Sequence, residues 1–202
     1  MTLLTRLLLV TLTFGSVGCA TGSSEMDYLS MPPLGAGWRL AREREQAGVQ
    51  RFREFVREGE TVDKWTEVVT WHSARKRDPA PLALDTMVAG GMGFIQDICP
   101  GLVWNVIKRR EGSVLYEWRV ASCEPSEGAR RKLAEGRGAF RPDPTVALKS
   151  LTADQHAIAL YIEGKWTVWR IEYTMKVNEL PSAKREEWIR KFSEARVETR
   201  VR

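Results

Sequence analysis

The sequence predicts an α+β fold in which an antiparallel sheet of about five to seven strands packs against two helices. Three features support this prediction. Pairs of segments with alternating apolar and polar residues are joined by short glycine-containing turns, which is typical of antiparallel hairpins. A stripe of apolar residues at helical spacing runs through residues 82–98, and a second follows Pro181.

The first segment of the fold, residues 38–56, has two interpretations. Good helix formers fill residues 39–45, but Gly48 interrupts the segment and its apolar residues do not keep helical spacing. We favour two strands, 38–45 and 49–57, joined near Gly48. A further strand covers residues 65–71, and alternation places on one of its faces Trp65, Glu67, Val69 and Trp71.

A helix is predicted from Leu82 to Ile98. Its interior contains Gly90, Gly91 and Gly93, each of which weakens a helix by up to about 1 kcal/mol relative to Ala. We expect these glycines to permit close packing against another backbone.

The remaining elements are two hairpins and a final helix. The first hairpin pairs strands 102–108 and 113–122, and the second pairs strands 155–162 and 166–175. The helix is expected to run from Ser182 to about Val197. Between the hairpins, residues 124–150 are rich in Gly, Pro and charge and predict a long connection.

The N-terminus has the pattern of a secretory signal peptide. Arg6 precedes an apolar run, Leu7 to Phe14, that is too short to span a membrane, and small residues then lead to Cys19. Residues 16–19 resemble the bacterial lipobox, whose cysteine receives a diacylglycerol and becomes the first residue of the mature protein. Ser16 stands where that motif usually has Leu. The alternative is an ordinary signal peptide followed by a chance cysteine.

This interpretation divides the chain into a signal peptide (1–18), a flexible tether (19–33) and a single α+β domain (34–202). Lipid on Cys19 is then the membrane anchor, since several acyl chains hold a protein firmly. In enteric bacteria an Asp directly after the cysteine retains a lipoprotein in the inner membrane. Ala20 therefore favours the outer membrane, with the domain facing the periplasm.

Cys99 and Cys123 remain as an even pair in an oxidising compartment, and we expect a disulfide between them. The alternative is two buried free thiols. The formal net charge of the chain is +5. An exported protein rarely meets nucleic acid, so lipid headgroups and wall polymers are the expected acidic partners.

The candidate binding residues are basic loops and tryptophans. Basic clusters lie at residues 75–77, 108–110 and 130–132, and the candidates singled out are Arg75, Lys76, Arg77, Trp65 and Trp71. Aromatic platforms bind sugars, and converging basic loops bind acidic polymers or headgroups. The competing interpretation is that the tryptophans are core residues and the basic clusters are solvated turns.

Catalysis is not expected. The chain has two histidines and lacks the spacings of zinc, nucleophile-elbow or phosphate-loop motifs, so no cofactor or metal is predicted. Glu67 and Glu117 lie in aromatic strands, where a raised pKa would let one of them act as an acid. A hydrogen-bonded or surface carboxylate is the favoured alternative.

Residues 58–70, with the sequence E-G-E-T-V-D-K-W-T-E-V-V-T, resemble a signature of small uncharacterised proteobacterial envelope proteins. Residues 113–118 and 170–176 fit the same pattern. The resemblance implies an envelope location and no particular activity. The order of elements is also loosely similar to that of PsbP-like domains, which are binding and assembly modules.

The expected function is therefore that of a non-enzymatic outer-membrane lipoprotein that binds an envelope protein or supports an assembly. Two alternatives stay open: a module that binds cell-wall glycan (peptidoglycan), and a hydrolase that depends on Glu67 or Glu117.

Overall fold

The computed structural model describes residues 25–46, 48–123, 127–128, 131 and 153–201. These residues form a seven-stranded antiparallel sheet, a two-stranded sheet and two complete helices, which confirms the predicted α+β class. The strands are β1 Glu25–Ser30, β2 Trp38–Gln46, β3 Gln50–Arg57, β4 Glu67–Arg75, β5 Val103–Arg110, β6 Ser113–Val120, β7 Gln155–Glu163, β8 Thr167–Met175 and β9 Arg196–Val201. The helices are α1 Leu84–Ile98 and α2 Ser182–Glu194.

The large sheet has the strand order β2-β3-β4-β8-β7-β6-β5, and every neighbouring pair is antiparallel. Two of its tight turns need a residue with positive φ, which glycine adopts without strain. Gly48 (φ +68°) follows β2, and Gly112 (φ +67°) joins β5 to β6. The hairpin interpretation of residues 38–57 is thereby confirmed over the helical one.

The two helices pack on opposite faces of the sheet. Val88 and Met92 of α1 join a core with the inward residues Val114, Tyr116 and Ala159. Trp188 and Phe192 of α2 join a second core on the other face, with Leu115, Leu160, Ile171 and Tyr173. Strand β7 is buried along nearly its whole length because both of its faces are covered.

Two predictions about the chain ends are wrong in part. The predicted tether includes strand β1, and the last helix ends at Glu194 rather than near Val197. Residues 196–201 form β9, which pairs with β1 in antiparallel register from Glu25↔Val201 to Ser30↔Arg196. The pairing partner of β1 is thus the far end of the chain, which local sequence does not reveal.

The predicted face of strand 65–71 is also corrected. The strand begins at Glu67, so Trp65 precedes it and does not follow its alternation. Trp65 packs with Val56 and Val68, whereas Trp71 packs with the core on the α2 side.

The glycines of α1 do not pack against another backbone. A Cβ atom built on Gly90, Gly91 or Gly93 meets nothing within 4 Å among the described residues. The helix covers the sheet with its other side, through Leu84, Val88, Met92 and Ile98.

Cys99, at the end of α1, lies at disulfide distance from Cys123, which follows β6; their Cα atoms are 5.8 Å apart. The predicted signal peptide and Cys19 lie outside the described residues, and so does the predicted connection at 124–150 apart from residues 127, 128 and 131. In the part of the chain that the structure describes, no helix is long and apolar enough to cross a membrane.

Candidate functional site

Strand β1 is fixed to the turn between β7 and β8 by its acidic side chains. Asp27 Oδ2 accepts hydrogen bonds from the backbone N–H groups of Trp166 and Thr167, at 2.5 and 2.8 Å. Glu25 accepts a bond from the Trp166 indole at 3.0 Å and lies 2.6 Å from Lys165 Nζ. The hydrogen bonds from Lys165 and Trp166 lower the pKa of Glu25. The first residues of strand β1 therefore lie against the β7–β8 turn.

Three loops meet at the same end of the sheet, which we call the Glu25 end. The Lys76 N–H donates to the Trp166 carbonyl at 2.8 Å, and the Glu163 N–H donates to the Gly112 carbonyl at 2.9 Å. The loop after β4, the β5–β6 turn and the β7–β8 turn are thus neighbours. The predicted basic clusters at 75–77 and 108–110 consequently lie at one end of the molecule.

Lys76 has a structural role, which corrects its selection as a binding residue. Its side chain is only 3% exposed, and its Nζ atom lies 3.1 Å from Glu163 Oε2 and 3.2 Å from the Gly164 carbonyl. The same Glu163 oxygen accepts the Leu82 N–H at 2.9 Å. A buried cation with these partners ties the loop before α1 to the β7–β8 turn and is not available to a ligand. Arg75 and Arg77, on either side, are exposed.

A cleft of about 340 Å³ lies beside the Glu25 end, between the β5–β6 hairpin, the end of β7, the C-terminus of α2 and the start of β9. Its floor is apolar and consists of Leu115, Leu160, Ile162 and Phe192. Three cationic side chains stand at its rim: Lys108, Arg110 and Arg196. All three are exposed, and the volume is within the range of small-ligand sites.

The two rim arginines are oriented by the end of α2. Arg110 and Arg196 each donate from Nη1 to the Ser193 carbonyl, at 2.7 and 2.8 Å. Arg196 Nη1 also donates to the Ala195 carbonyl at 2.6 Å. These carbonyls lack helical partners and carry the negative end of the helix dipole, so they hold guanidinium groups well. A guanidinium has five N–H donors, so each arginine keeps donors directed elsewhere.

Trp65 and Trp71 do not form one platform. Trp65 is 9% exposed, and Lys176 Nζ covers its ring at 4.4 Å from the centroid. Trp71 is half-buried on the opposite side of the sheet, 5.4 Å from the Phe55 ring. The structure therefore separates the two tryptophans that the sequence selected as a shared site.

Glu117 is engaged in an ion pair. It accepts two bonds from Arg185, at 2.7 and 3.1 Å, and lies 3.8 Å from His156 Nε2. Burial alone would raise the pKa of Glu117, but the hydrogen bonds and charge of Arg185 lower it. His156 Nδ1 accepts the Leu180 N–H at 3.0 Å, so its other nitrogen carries the proton. This arrangement holds Glu117 as an anion, contrary to the raised pKa that a catalytic acid needs.

Glu67 is also engaged in an ion pair, and it lies near the first turn of α2, 3.8 Å from Lys184 Nζ. Its Oε2 atom lies 2.7 Å from Arg57 Nη2 and accepts the Tyr173 hydroxyl at 3.0 Å. Burial is the main cause of the raised pKa of Tyr173, and the charge of Glu67 raises it further. The Tyr173 hydroxyl therefore stays protonated and donates. Both glutamates selected as possible acids thus hold structure together.

A polar network that the sequence did not predict lies on the α1 side of the sheet. Arg170 forms an ion pair with Glu172 and donates to the Tyr116 hydroxyl at 3.0 Å. Glu172 also accepts the Trp118 indole N–H at 2.9 Å. Tyr116 stacks on Tyr161 with ring centroids 6.0 Å apart. The network satisfies its own donors and acceptors, which is the condition for burying such groups.

The residues of the cleft were only partly foreseen. The sequence identifies the cluster 108–110 as basic, but it predicts a helix at Arg196, which stands at the rim, and a tether at Asp27, which fixes β1 beside the cleft. Strand alternation in Arg196–Val201 was the signal that would have revealed β9. In the part of the chain that the structure describes, no group of three His, Cys, Asp or Glu side chains is arranged to hold a metal ion.

Comparison with known proteins identifies no relative: no family model, no curated protein and no solved structure matches the chain.

Proposed function

We propose that the chain is a non-enzymatic lipoprotein, anchored through Cys19 in the outer membrane, whose domain binds a partner in the periplasm. The observation that carries this proposal is the position of β1. The strand begins at Glu25, six residues after the lipobox-like cysteine, and is fixed there to the β7–β8 turn. Six extended residues reach at most about 20 Å. A lipid on Cys19 would therefore hold the Glu25 end against the membrane surface.

A binding role is supported over the hydrolase alternative by the state of the two glutamates. Glu117 is an ion-paired anion with a lowered pKa, and Glu67 is held by Arg57 and Tyr173. Each carboxylate is therefore paired with an arginine, and neither is free to transfer a proton to a substrate. The glycan-binding alternative is less well supported, because Trp65 and Trp71 pack in two different clusters and do not form one sugar-binding surface.

The anchor is tested by fractionating cells that express the full chain and two variants. Wild type should sediment with outer membranes and incorporate labelled palmitate. Cys19→Ser should appear in the soluble fraction without label, and Ala20→Asp should keep the label but move to the inner membrane of an enteric host. Membrane retention of Cys19→Ser at the wild-type level would refute the anchor.

Partner binding is tested by site-specific photo-crosslinking in intact cells, followed by mass spectrometry. Probes at the exposed residues Arg77 and Arg119 sample the Glu25 end and the opposite end of the sheet. One envelope protein recovered repeatedly from one probe position supports the adaptor role. Recovery of wall fragments alone would favour the glycan alternative instead.

The hydrolase alternative has its own test. Glu67→Gln and Glu117→Gln should leave the cellular role of the protein intact wherever circular dichroism and the unfolding midpoint show a folded chain. Loss of function in one folded variant, but not in the other, would contradict the non-enzymatic assignment.

A further inference from the structure

We infer that the cleft beside the Glu25 end binds an anionic phospholipid of the membrane to which the domain is tethered. The inference rests on the proposed function for the orientation of the domain. It adds a ligand class and a site: the acyl region on the apolar floor of the cleft, and the phosphate at its cationic rim.

The floor offers a small apolar surface to an acyl segment, because its four side chains belong to the core and are each 1–8% exposed. Leu115 and Leu160 project from neighbouring strands, where they are directly paired, and Phe192 closes the floor from α2. Ile162 extends the apolar surface along β7. The rest of the lining is largely polar or charged, so the cleft combines an apolar floor with a polar mouth, and an amphiphile has the same two parts.

The rim suits a phosphate. Lys108, Arg110 and Arg196 are exposed there, and the two arginines are held in place through the Ser193 carbonyl. Guanidinium groups bind phosphate oxygens in fork geometry, and fixing them in advance reduces the ordering cost of binding. Among the described residues that line the cleft, Glu163 is paired with Lys76 and Glu111 is the other acidic side chain, so the three cations outweigh the remaining negative charge.

The position of the cleft places it near the membrane in the proposed orientation. Val197, which lines the cleft, pairs with Leu29 of β1, four residues from the start of the described chain at Glu25. The wall of the cleft is thus part of the two-stranded sheet whose strand β1 begins six residues after Cys19 in the sequence. A site for a membrane lipid must lie close to the membrane surface, whereas a site for a soluble metabolite has no such requirement.

The test uses the mature chain carrying Cys19→Ser, so that binding does not depend on the anchor. The protein is sedimented with vesicles of phosphatidylglycerol and phosphatidylethanolamine, or of phosphatidylcholine alone. We expect binding to the anionic vesicles only. Each basic residue near an anionic surface contributes about fivefold to partitioning, so Lys108→Ala/Arg110→Ala should weaken binding at least tenfold.

A matched control separates the cleft from net charge. Lys64→Ala/Arg119→Ala removes two exposed cations remote from the cleft and should weaken binding less than threefold. Because Arg110 also holds the end of α2, Lys108→Glu serves as a second cleft variant that leaves the Ser193 contact intact. Equal losses for the control and cleft variants would overturn the site.

The acyl contribution is tested with soluble probes. Dihexanoyl phosphatidylglycerol, titrated as a monomer, should shift the amide resonances of Leu115, Leu160 and Ile162, whereas inorganic phosphate should not compete with vesicles at the same concentration. Competition by phosphate alone would reduce the site to a phosphate site and overturn the lipid assignment. These outcomes are independent of lipidation, so a failed anchor and a failed cleft are distinguishable.

Discussion

Asp27 fixes the first strand of the fold to the turn that carries Trp166, although 139 residues separate the two in sequence. The Asp27 carboxylate accepts hydrogen bonds from two backbone N–H groups of this turn, and the turn packs so closely against β1 and β9 that no side chain fits at position 164. A Cβ atom on Gly164 would lie 2.6 Å from Asp27 Oδ2 and from Val197 Cγ1. Glycine at position 164 therefore lets β1 and β9 lie directly on the β7–β8 turn.

Replacing Asp27 by Ala should release this contact and destabilise the protein by about 2 kcal/mol, because two charge-assisted hydrogen bonds to backbone donors are lost. Urea denaturation followed by tryptophan fluorescence measures the change. Thr199→Val removes only an exposed bond to Asp27 Oδ1 and should cost less than about 0.5 kcal/mol. Equal effects of the two variants would show that the Trp166 contact contributes nothing.

Lys76→Ala should destabilise the protein by about 3 kcal/mol. It leaves the half-buried Glu163 carboxylate without the cation that neutralises it, and the loss of one member of a buried pair is costly. Arg77→Ala, one residue further on, removes an exposed cation and should be neutral. Thermal unfolding of both variants decides the matter. If Lys76→Ala unfolds at the same temperature as wild type, Lys76 has no structural role and is again a candidate for ligand binding.

The sequence predicted the hairpins and helices well because their signals are local. Gly48 and Gly112 mark turns within the chain segments that they join, and the α1 stripe is visible within fifteen residues. Sequence patterns did not predict contacts between residues that are far apart in the chain. The pairing of β1 with β9 joins opposite ends of the chain, and the meeting of Lys76 with Glu163 depends on the strand order. The cleft combines three remote segments, so composition alone showed its charge and not its shape.

Gly93→Ala should stabilise the protein by about 0.5–1 kcal/mol. The residue is helical, a Cβ atom there meets nothing within 4 Å among the described residues, and Ala has less conformational entropy to lose on folding. Gly90→Ala should behave alike, for the same reason. Chemical denaturation checks both. Destabilisation by either variant would indicate that the outer face of α1 is packed against something, as the sequence first suggested.

Removing the cysteine pair should lower stability. Cys99 and Cys123 are 24 residues apart, and closing a loop of that size contributes about 3.5 kcal/mol on the chain-entropy model. Cys99→Ala/Cys123→Ala should therefore unfold at lower urea concentration than the oxidised wild type. Dithiothreitol should reduce wild-type stability toward that of the variant and leave the variant unchanged. A wild type indifferent to reductant would mean that the two thiols are free.

His72 should make the protein less stable in mild acid. Burial, reinforced by the charge of Arg170, lowers the pKa of His72 from 6.5 to about 4. Among the described residues, the other ionisable groups on this side of the sheet include Arg42, Glu54, Tyr116, Tyr161 and Glu172. Between pH 6.5 and pH 4 the unfolded chain binds a proton that the folded chain does not, so stability is retained above pH 6.5 and lost as the pH falls toward 4.

The expected loss from this histidine between pH 7 and pH 5 is about 2 kcal/mol. His72→Gln cannot take up the proton, so the unfolding free energy of this variant should fall by that much less over the same interval. His156, whose pKa is lowered in the same direction mainly by burial, is present in both proteins. The difference between the two pH profiles therefore isolates His72, and parallel profiles would show that this imidazole titrates normally in the folded protein.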